Sequence, residues 1–272
     1  MPSKIIDKKK LSENVYSLWV EAPQIAKKRK PGQFIILRPG EESERIPLTI
    51  ADTCLETGTL RLIVQTVGKT TSDLAALEPG QLVHDLAGPL GHPSPIENYG
   101  TVVCVGGGIG VAPMLPIAIA MKEAGNYVVS IIGARTKELL ILEDETKATS
   151  DETYVATDDG SYGVKGFVTD ILKERLGKEP MIDFAVAIGP VPMMKAVAQV
   201  TKEKKIPTVA SLNSVMIDGT GMCGGCRVTV GDEIKYTCVD GPEFDAHKVN
   251  FDELQRRLGM YREQEEKCRL EV

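Results

Sequence analysis

The sequence predicts an antiparallel β-barrel, then a doubly wound parallel α/β sheet, then a small glycine- and cysteine-rich domain. Three observations carry this reading. Short β-rich runs separated by turn residues fill residues 1–96. From Thr101, strand and helix patterns alternate. Between residues 211 and 249 the helical pattern vanishes, and glycines and cysteines crowd together. The predicted segments are therefore 1–96, 97–210 and 211–249, followed by a C-terminal helix and tail over 250–272.

In the first segment Val15–Val20, Gln33–Leu37, Arg45–Ile50, Thr59–Gln65 and Gln81–Leu86 have strand length. Pro31-Gly32, Gly58 and Pro79-Gly80 punctuate them, as in a barrel or sandwich. Lys69–Leu77 is the one helix expected there. Arg45-Ile46-Pro47-Leu48-Thr49 puts a guanidinium and a hydroxyl on one strand. The Arg could pair with a phosphate or simply sit at a sheet edge. Gly68-Lys69-Thr70-Thr71 opens the helix and offers a second phosphate cradle. The basic runs Lys8-Lys9-Lys10 and Lys27-Lys28-Arg29-Lys30 have no interleaved aromatics and read as solvated surface.

In the second segment, strands are expected at Thr101–Val105, Tyr127–Ile132, Thr153–Thr157, Phe184–Ile188 and Thr208–Ala210. Helices alternate with them at Val111–Ala124, Lys137–Lys147, Thr169–Leu176 and Val191–Lys204. This βαβ alternation implies a parallel sheet, whose ligands bind at the carboxyl ends of the strands. Three turns fall at that edge: Gly106-Gly107-Gly108-Ile109-Gly110 before Val111-Ala112, Thr157-Asp158-Asp159-Gly160-Ser161, and Gly189-Pro190. The first does not fit G-x-G-x-x-G, because Val111 stands where the last Gly would be. Each turn alone could serve only tight packing, but three at one edge point to a nucleotide. Val102–Met121 carries no charge and, at about 20 residues, has the length of a bilayer span. Its glycines and its Pro113 and Pro116 make it a strand, a turn and a helix instead, so no membrane span is expected.

The third segment contains Cys223, Cys226 and Cys238 in the spacing C-x2-C-x11-C. With Asp218 the pattern becomes D-x4-C-x2-C-x11-C, the plant-type 2Fe-2S spacing with one thiolate replaced by a carboxylate. Gly219, Gly221, Gly224 and Gly225 let such a loop turn its N–H groups inward. A Cys3Asp zinc site is the competing interpretation, although zinc ribbons usually present two C-x2-C pairs. Cys54 and Cys104 lie in or beside apolar strands and read as core, whereas Cys268 has no evident partner. Asn250–Glu266 is expected as one charged helix with Phe251, Leu254, Leu258 and Tyr261 on one face.

Charge and composition exclude several classes. Lys and Arg number 32 against 38 Asp and Glu, a net charge of −6, which argues against a nucleic-acid binder. Met1–Asp7 lacks an apolar signal-peptide core, and unpaired cysteines fit a reducing compartment, so a cytoplasmic location is expected. The three histidines, His84, His92 and His247, stand in no Ser-His-Asp or metal-hydrolase spacing.

The R-x-P-x-T strand, the GGGIGVAP, TDDGS and GPVPMM turns and VMIDGTGMCGGCRVTVG together resemble the ferredoxin–NADP reductase superfamily. The resemblance is to its branch with an appended 2Fe-2S domain. That branch includes the electron-transfer subunits of dihydroorotate dehydrogenase and the small subunits of NADH-dependent reduced ferredoxin:NADP oxidoreductases. The Asp in the cluster motif is most similar to the latter.

The resemblance implies FAD in the first domain, NAD(H) in the second and a 2Fe-2S cluster in the third. Arg45, Pro47, Leu48, Thr49, Ile63, Val64, Gln65, Thr70 and Thr71 would line FAD, with Thr49 a candidate flavin contact. Pro47 stands where many reductases have a flavin-stacking Tyr. Gly107, Gly108, Gly110, Ala112, Gly189 and Pro190 would face NAD(H). Asp218, Cys223, Cys226 and Cys238 would hold the cluster. The implied partner is a larger subunit carrying another FAD and 4Fe-4S clusters, through which ferredoxin and NADP(H) react. No side-chain acid or nucleophile is required, because the flavin carries the hydride chemistry. Asp158 and Asp159 disfavour a 2′-phosphate and argue for NAD(H), with Arg135 as the counter-indication. An NAD-linked dihydroorotate dehydrogenase subunit, another diaphorase, and a zinc-stabilised nucleotide sensor are the alternative functions.

Overall fold

The computed structural model describes residues 2–270, with side chains through Lys267. Cys268 therefore falls outside the described side chains. By its contacts the chain divides into two units, 1–93 with 213–242 and 252–272, and 94–212 with 243–251.

The first unit begins with β1 (Ser3–Ser12), β2 (Val15–Glu21), α1 (Pro23–Ala26), β3 (Phe34–Arg38), β4 (Ile46–Cys54) and β5 (Thr59–Gln65). It continues with α2 (Lys69–Ala76), β6 (Leu82–Val83) and β7 (Asp85–Leu90). All strand pairs are antiparallel, in the order β6-β1-β2-β5-β4-β3-β7. The two end strands are separated in sequence only by His84, so the sheet curls round until its ends meet. Ile5, Leu18, Val20, Ile35, Leu37, Ile50, Leu60, Leu62, Val64 and Leu74 fill the interior.

Three expectations need correction here. Lys8-Lys9-Lys10 lies on β1, which the charge of the run disguised. Lys8 and Lys10 sit over the Tyr16 ring of the neighbouring strand, at 5.4 and 6.0 Å, so the run does meet an aromatic. Arg45 is not on a strand. It is exposed just before β4, which lies inside the sheet rather than at its edge. Gln81–Leu86 becomes two strands broken at His84.

The second unit contains β8 (Thr101–Gly107), α3 (Val111–Glu123), β9 (Tyr127–Ala134), α4 (Glu143–Thr149), β10 (Glu152–Thr157) and β11 (Val164–Lys165). After these come α5 (Val168–Arg175), β12 (Phe184–Ile188), α6 (Val191–Glu203) and β13 (Thr208–Ser211). Lys137–Lys147 is not one helix. A 3-10 turn over Lys137–Leu139 and α4 are separated by Leu142, whose φ of 57° breaks helical geometry.

The chain then forms the hairpin β14 (Arg227–Val230) and β15 (Glu233–Tyr236), then α7 (Thr237–Asp240) and β16 (Glu243–Asp245). The hairpin and α7 belong to the first unit, whereas β16 pairs antiparallel with β13 in the second. The sheet order is β11-β10-β9-β8-β12-β13-β16, parallel except at β16. Two helices end the chain, α8 (Phe251–Leu258) and α9 (Arg262–Leu270). The expected single helix thus breaks near Gly259. Phe251 and Leu254 are buried, but Tyr261 is exposed, because the stripe does not continue past the break. Among the described residues no helix is long and apolar enough to cross a membrane.

Candidate functional site

The cysteine segment 213–242 packs within the barrel unit. Phe34, Ile36 and Leu90 of the barrel surround Met216, Cys226 and Cys238. Gly219 has a φ of 75°, and a Cβ there would approach Ile36 and Leu90 at 2.7 and 2.8 Å. A side chain at that point would push the ligand loop off the barrel.

The four candidate ligands come together as two pairs. Cys226 and Cys238 are each 1% exposed, with their sulfurs 3.2 Å apart. The exposed Cys223 has its sulfur 3.5 Å from Asp218 Oδ1. Main-chain N–H groups turn toward both pairs. Gly225 N–H points to Cys223 Sγ at 3.4 Å, and Cys238 N–H points to Cys226 Sγ at 3.5 Å.

Burial works against an ionised Asp218, but Thr220 and Cys223 N–H groups, the Cys223 thiol and the Thr220 hydroxyl donate to it. Together they hold it below the usual carboxylate range. Burial and the neighbouring Cys226 thiol push the Cys238 thiol up to about 12. Such a thiol ionises readily only against a cation.

Among the described residues no three His, Cys, Asp or Glu side chains converge on one point. A structural zinc needs four donors around a single ion. Two donor pairs with inward amides suit a two-iron cluster better than one zinc ion.

At the second unit's parallel sheet, the order reverses between β8 and β12, which places the crevice of a doubly wound sheet at their carboxyl ends. The first Gly turn and the Gly189-Pro190 turn pack together there. A Cβ on Gly107 would strike Met193, and one on Gly110 would strike the Ile188 carbonyl. Gly108, with φ at 55°, has nothing within 4 Å of where a Cβ would stand. Of the glycines expected to face a dinucleotide, Gly108 is thus the open one, and it lies just before the N-terminus of α3. Ala112 is buried and turns into the core.

Beside these turns, Asp158 N–H bonds Ala134 O at 3.1 Å and Asp159 N–H bonds Arg135 O at 3.2 Å. The two acids and Arg135 therefore share one edge, and all three are exposed. Asp159 Oδ1 accepts from Ser161 N–H and Oγ at 2.9 and 2.7 Å, and Ser161 Oγ accepts from Lys137 N–H. Asp159 is thereby fixed within its turn.

In the barrel, Pro47, Leu48 and Thr49 are half-buried on β4, opposite Ile36, Ile35 and Phe34. Val64 has no exposed surface and packs in the interior, so only its main chain could face a ligand, and Ile63 is nearly as enclosed. Gln65 is half-buried at the end of β5. Thr71 Oγ1 accepts from Val67 and Gly68 N–H at 3.0 Å, which shapes the entry to α2. Ser72 N–H returns to Gly68 O at 3.0 Å, leaving the amides of Lys69, Thr70 and Thr71 at the helix start for an anion. A Cβ on Gly68 would meet nothing within 4 Å, so that start is sterically open, as a phosphate would need.

Sequence reading missed the hairpin β14–β15, although Val228-Thr229-Val230-Gly231-Asp232-Glu233-Ile234 carries its alternation and turn. It also missed Arg227 and Arg257, which no local pattern marks. Arg257 Nη2 donates to Gly225 O at 3.0 Å, and Arg227 Nη1 to Gly224 O at 3.3 Å.

Residues 213–250 match the family described as the iron–sulfur cluster binding domain of dihydroorotate dehydrogenase B. Residues 104–199 match the oxidoreductase NAD-binding domain. A Thermotoga maritima protein named as a dihydroorotate dehydrogenase B (NAD(+)) electron transfer subunit homolog is 51% identical, over 97% of this chain and 93% of its own. The electron transfer subunit of dihydroorotate dehydrogenase B (NAD(+)) from Geobacillus thermodenitrificans is 35% identical, over 90% of this chain and 96% of its own. A solved structure of an NADH-dependent reduced ferredoxin-NADP oxidoreductase, described for flavin-based electron bifurcation, superposes with a TM-score of 0.93. It is 49% identical and covers 99% of this chain and 97% of its own. The cytochrome b5 reductase domain of Ulva prolifera nitrate reductase, at 21% identity and a TM-score of 0.61, covers 77% of this chain and 96% of its own and shares the fold.

Proposed function

The chain belongs to the family of dihydroorotate dehydrogenase B electron transfer subunits and their homologues, and on that premise we propose that it is an oxidoreductase subunit moving electrons between NAD(H), FAD and a 2Fe-2S cluster. Its assembly is a two-subunit, bifurcating NADH-dependent ferredoxin:NADP+ oxidoreductase. The partner is a larger subunit with its own FAD and 4Fe-4S clusters, which handles ferredoxin and NADP(H). The cytoplasm supplies both the nicotinamide pool and the reducing conditions that keep the cysteines free.

The observation that carries this reading is the carboxylate in the ligand loop. Asp218 occupies the first ligand position, and donated N–H groups hold it ionised beside Cys223. When bound, nicotinamide and flavin supply hydride transfer, and the cluster and flavin pass single electrons.

The chain's own residues bind and orient. Asp218 and Cys223 form one ligand pair, and Cys226 and Cys238 the other. The amides of Lys69–Thr71, together with Arg45, Pro47, Leu48, Thr49 and Gln65, line FAD. Gly108 and the N-terminus of α3 admit a pyrophosphate. Asp158 accepts from the adenosine ribose, and Arg135 pairs with phosphate. The working boundaries are a FAD barrel over 1–96, an NAD domain over 97–210, a cluster domain over 211–249 and a C-terminal helix and tail over 250–272.

The test is purification with the native partner, followed by iron, sulfide and flavin analysis. Asp218→Ala should lose the cluster, and Asp218→Cys should retain one with a changed potential. A colourless wild-type protein containing zinc would overturn the reading. The names of the relatives favour a second reading, the electron transfer subunit of an NAD-linked dihydroorotate dehydrogenase. Co-purification with a dihydroorotate-oxidising subunit would select it.

A further inference from the structure

The segment Cys223-Gly224-Gly225-Cys226 is held from outside by two guanidinium groups on successive carbonyls. Arg227, at the start of β14, donates to Gly224 O at 3.3 Å, and Arg257, in the last turn of α8, donates to Gly225 O at 3.0 Å. Gly224 has a φ of 66°, which turns neighbouring amides to one side of the loop. Carbonyls and amides of one peptide point in opposite directions. Holding Gly224 O therefore directs Gly225 N–H the other way, where it reaches Cys223 Sγ at 3.4 Å, and holding Gly225 O fixes the direction of Cys226 N–H beside the second ligand pair.

Arg257 lies three residues after Leu254, a buried side chain of the same helix, so the packing of that turn fixes its reach to the loop. It is also half-buried, where a charge is screened less than at the open surface.

We propose that Arg257 is a positioning residue that sets the reduction potential of the cluster, by fixing the Gly225–Cys226 peptide and by placing a positive charge beside the ligand loop. The proposal rests on the loop being a 2Fe-2S site. Reduction would add one electron to the cluster and requires no bond to form or break at Arg257. A nearby positive charge stabilises the more negative, reduced state and raises the potential. Arg227 supports the same loop, but it is exposed and its hydrogen bond is longer, so its contribution is smaller.

The experiment is a spectroscopic redox titration of the full complex at two ionic strengths. It uses wild type, Arg257→Gln, Arg257→Lys and the exposed neighbour Arg256→Gln as a charge-matched control. Arg257→Gln should keep its iron and lower the midpoint by about 59 mV, a tenfold change in the oxidised-to-reduced ratio for one electron. That shift should shrink as salt rises, Arg257→Lys should recover most of it, and Arg256→Gln should match wild type. If Arg257→Gln cannot retain iron, Arg257→Lys and Arg256→Gln carry the test. A lysine variant slightly below the wild-type midpoint, with Arg256→Gln unshifted, supports the proposal. Equal shifts in the Arg257 and Arg256 variants, or no shift in any iron-loaded Arg257 variant, overturn it. Absence of iron and sulfide from the wild-type complex would overturn the cluster reading itself.

Discussion

Gly110 and Gly224 both stand in turns that would receive a cofactor, yet they are glycine for different reasons. At Gly110, on the sheet edge, a Cβ would strike the Ile188 carbonyl, so the constraint is packing between two strand ends. At Gly224, in the ligand loop, the nearest atom to a Cβ is a Tyr236 carbon at 3.8 Å, so the constraint is the φ of 66° alone. The carboxylates of the two regions divide in the same way. Burial drives Glu243, on β16, up to about 7, against the opposing hydrogen bond from Ser94 Oγ at 2.5 Å, and its buried Oε2 has no hydrogen-bond partner among the described residues. Asp218 is held ionised by the donors around it. The sheet edge is shaped by its dense interior, and the ligand loop by main-chain direction and donated hydrogen bonds.

The largest expected effect tests the packing side of this contrast. Gly110→Ala should destabilise the protein by about 3 kcal/mol, because the clash is with backbone that cannot step aside. Urea unfolding would measure it, and a midpoint equal to wild type would break the contrast.

Glu243 gives an effect of similar size, on the order of 3 kcal/mol for a rise from 4.5 to about 7. A carboxyl whose pKa rises on folding binds its proton more tightly when folded. The associated stability is therefore complete below pH 4.5 and is lost as pH climbs through about 7. Glu243→Gln should flatten that slope between pH 5 and 8, read from unfolding midpoints across the range.

A smaller effect should come from the exposed acids of the sheet edge. Replacing Asp158-Asp159 by Ser-Arg should narrow the preference for NADH over NADPH about tenfold in kcat/KM, or about 1.4 kcal/mol. Wild-type preference for NADPH would make Arg135 the controlling residue instead.

The smallest belongs to the open glycine. Gly224→Ala should cost about 1 kcal/mol of backbone strain while leaving the fold intact. Iron retention on desalting and the unfolding midpoint together would show whether the loop tolerates it. A loss as large as that of Gly110→Ala would erase the difference between the two regions.

How much of this was legible beforehand depends on how local each signal is. Phe184–Ile188 and Thr59–Gln65 were readable to the residue, because an apolar run bounded by turn residues specifies a buried strand. β1 was hidden because a run of three lysines breaks its alternation, and their partners Glu78 and Tyr16 lie elsewhere in the chain. Val64 could be assigned to a strand but not to a face. Its burial depends on the barrel closing around it.

By itself, the sequence determined the order barrel, parallel sheet and ligand loop, together with the D-x4-C-x2-C-x11-C set. Those features are written in spacings a few residues long, and local geometry enforces them. Only the tertiary structure decided what lies between distant positions. It paired the four candidate ligands two by two, brought Arg257 to the Gly225 carbonyl, and set Ser94 against Glu243 across 149 residues of chain. Such contacts leave no periodicity in the sequence. They follow from the packing of whole elements, which fixes where each side chain ends and which polar groups are denied water.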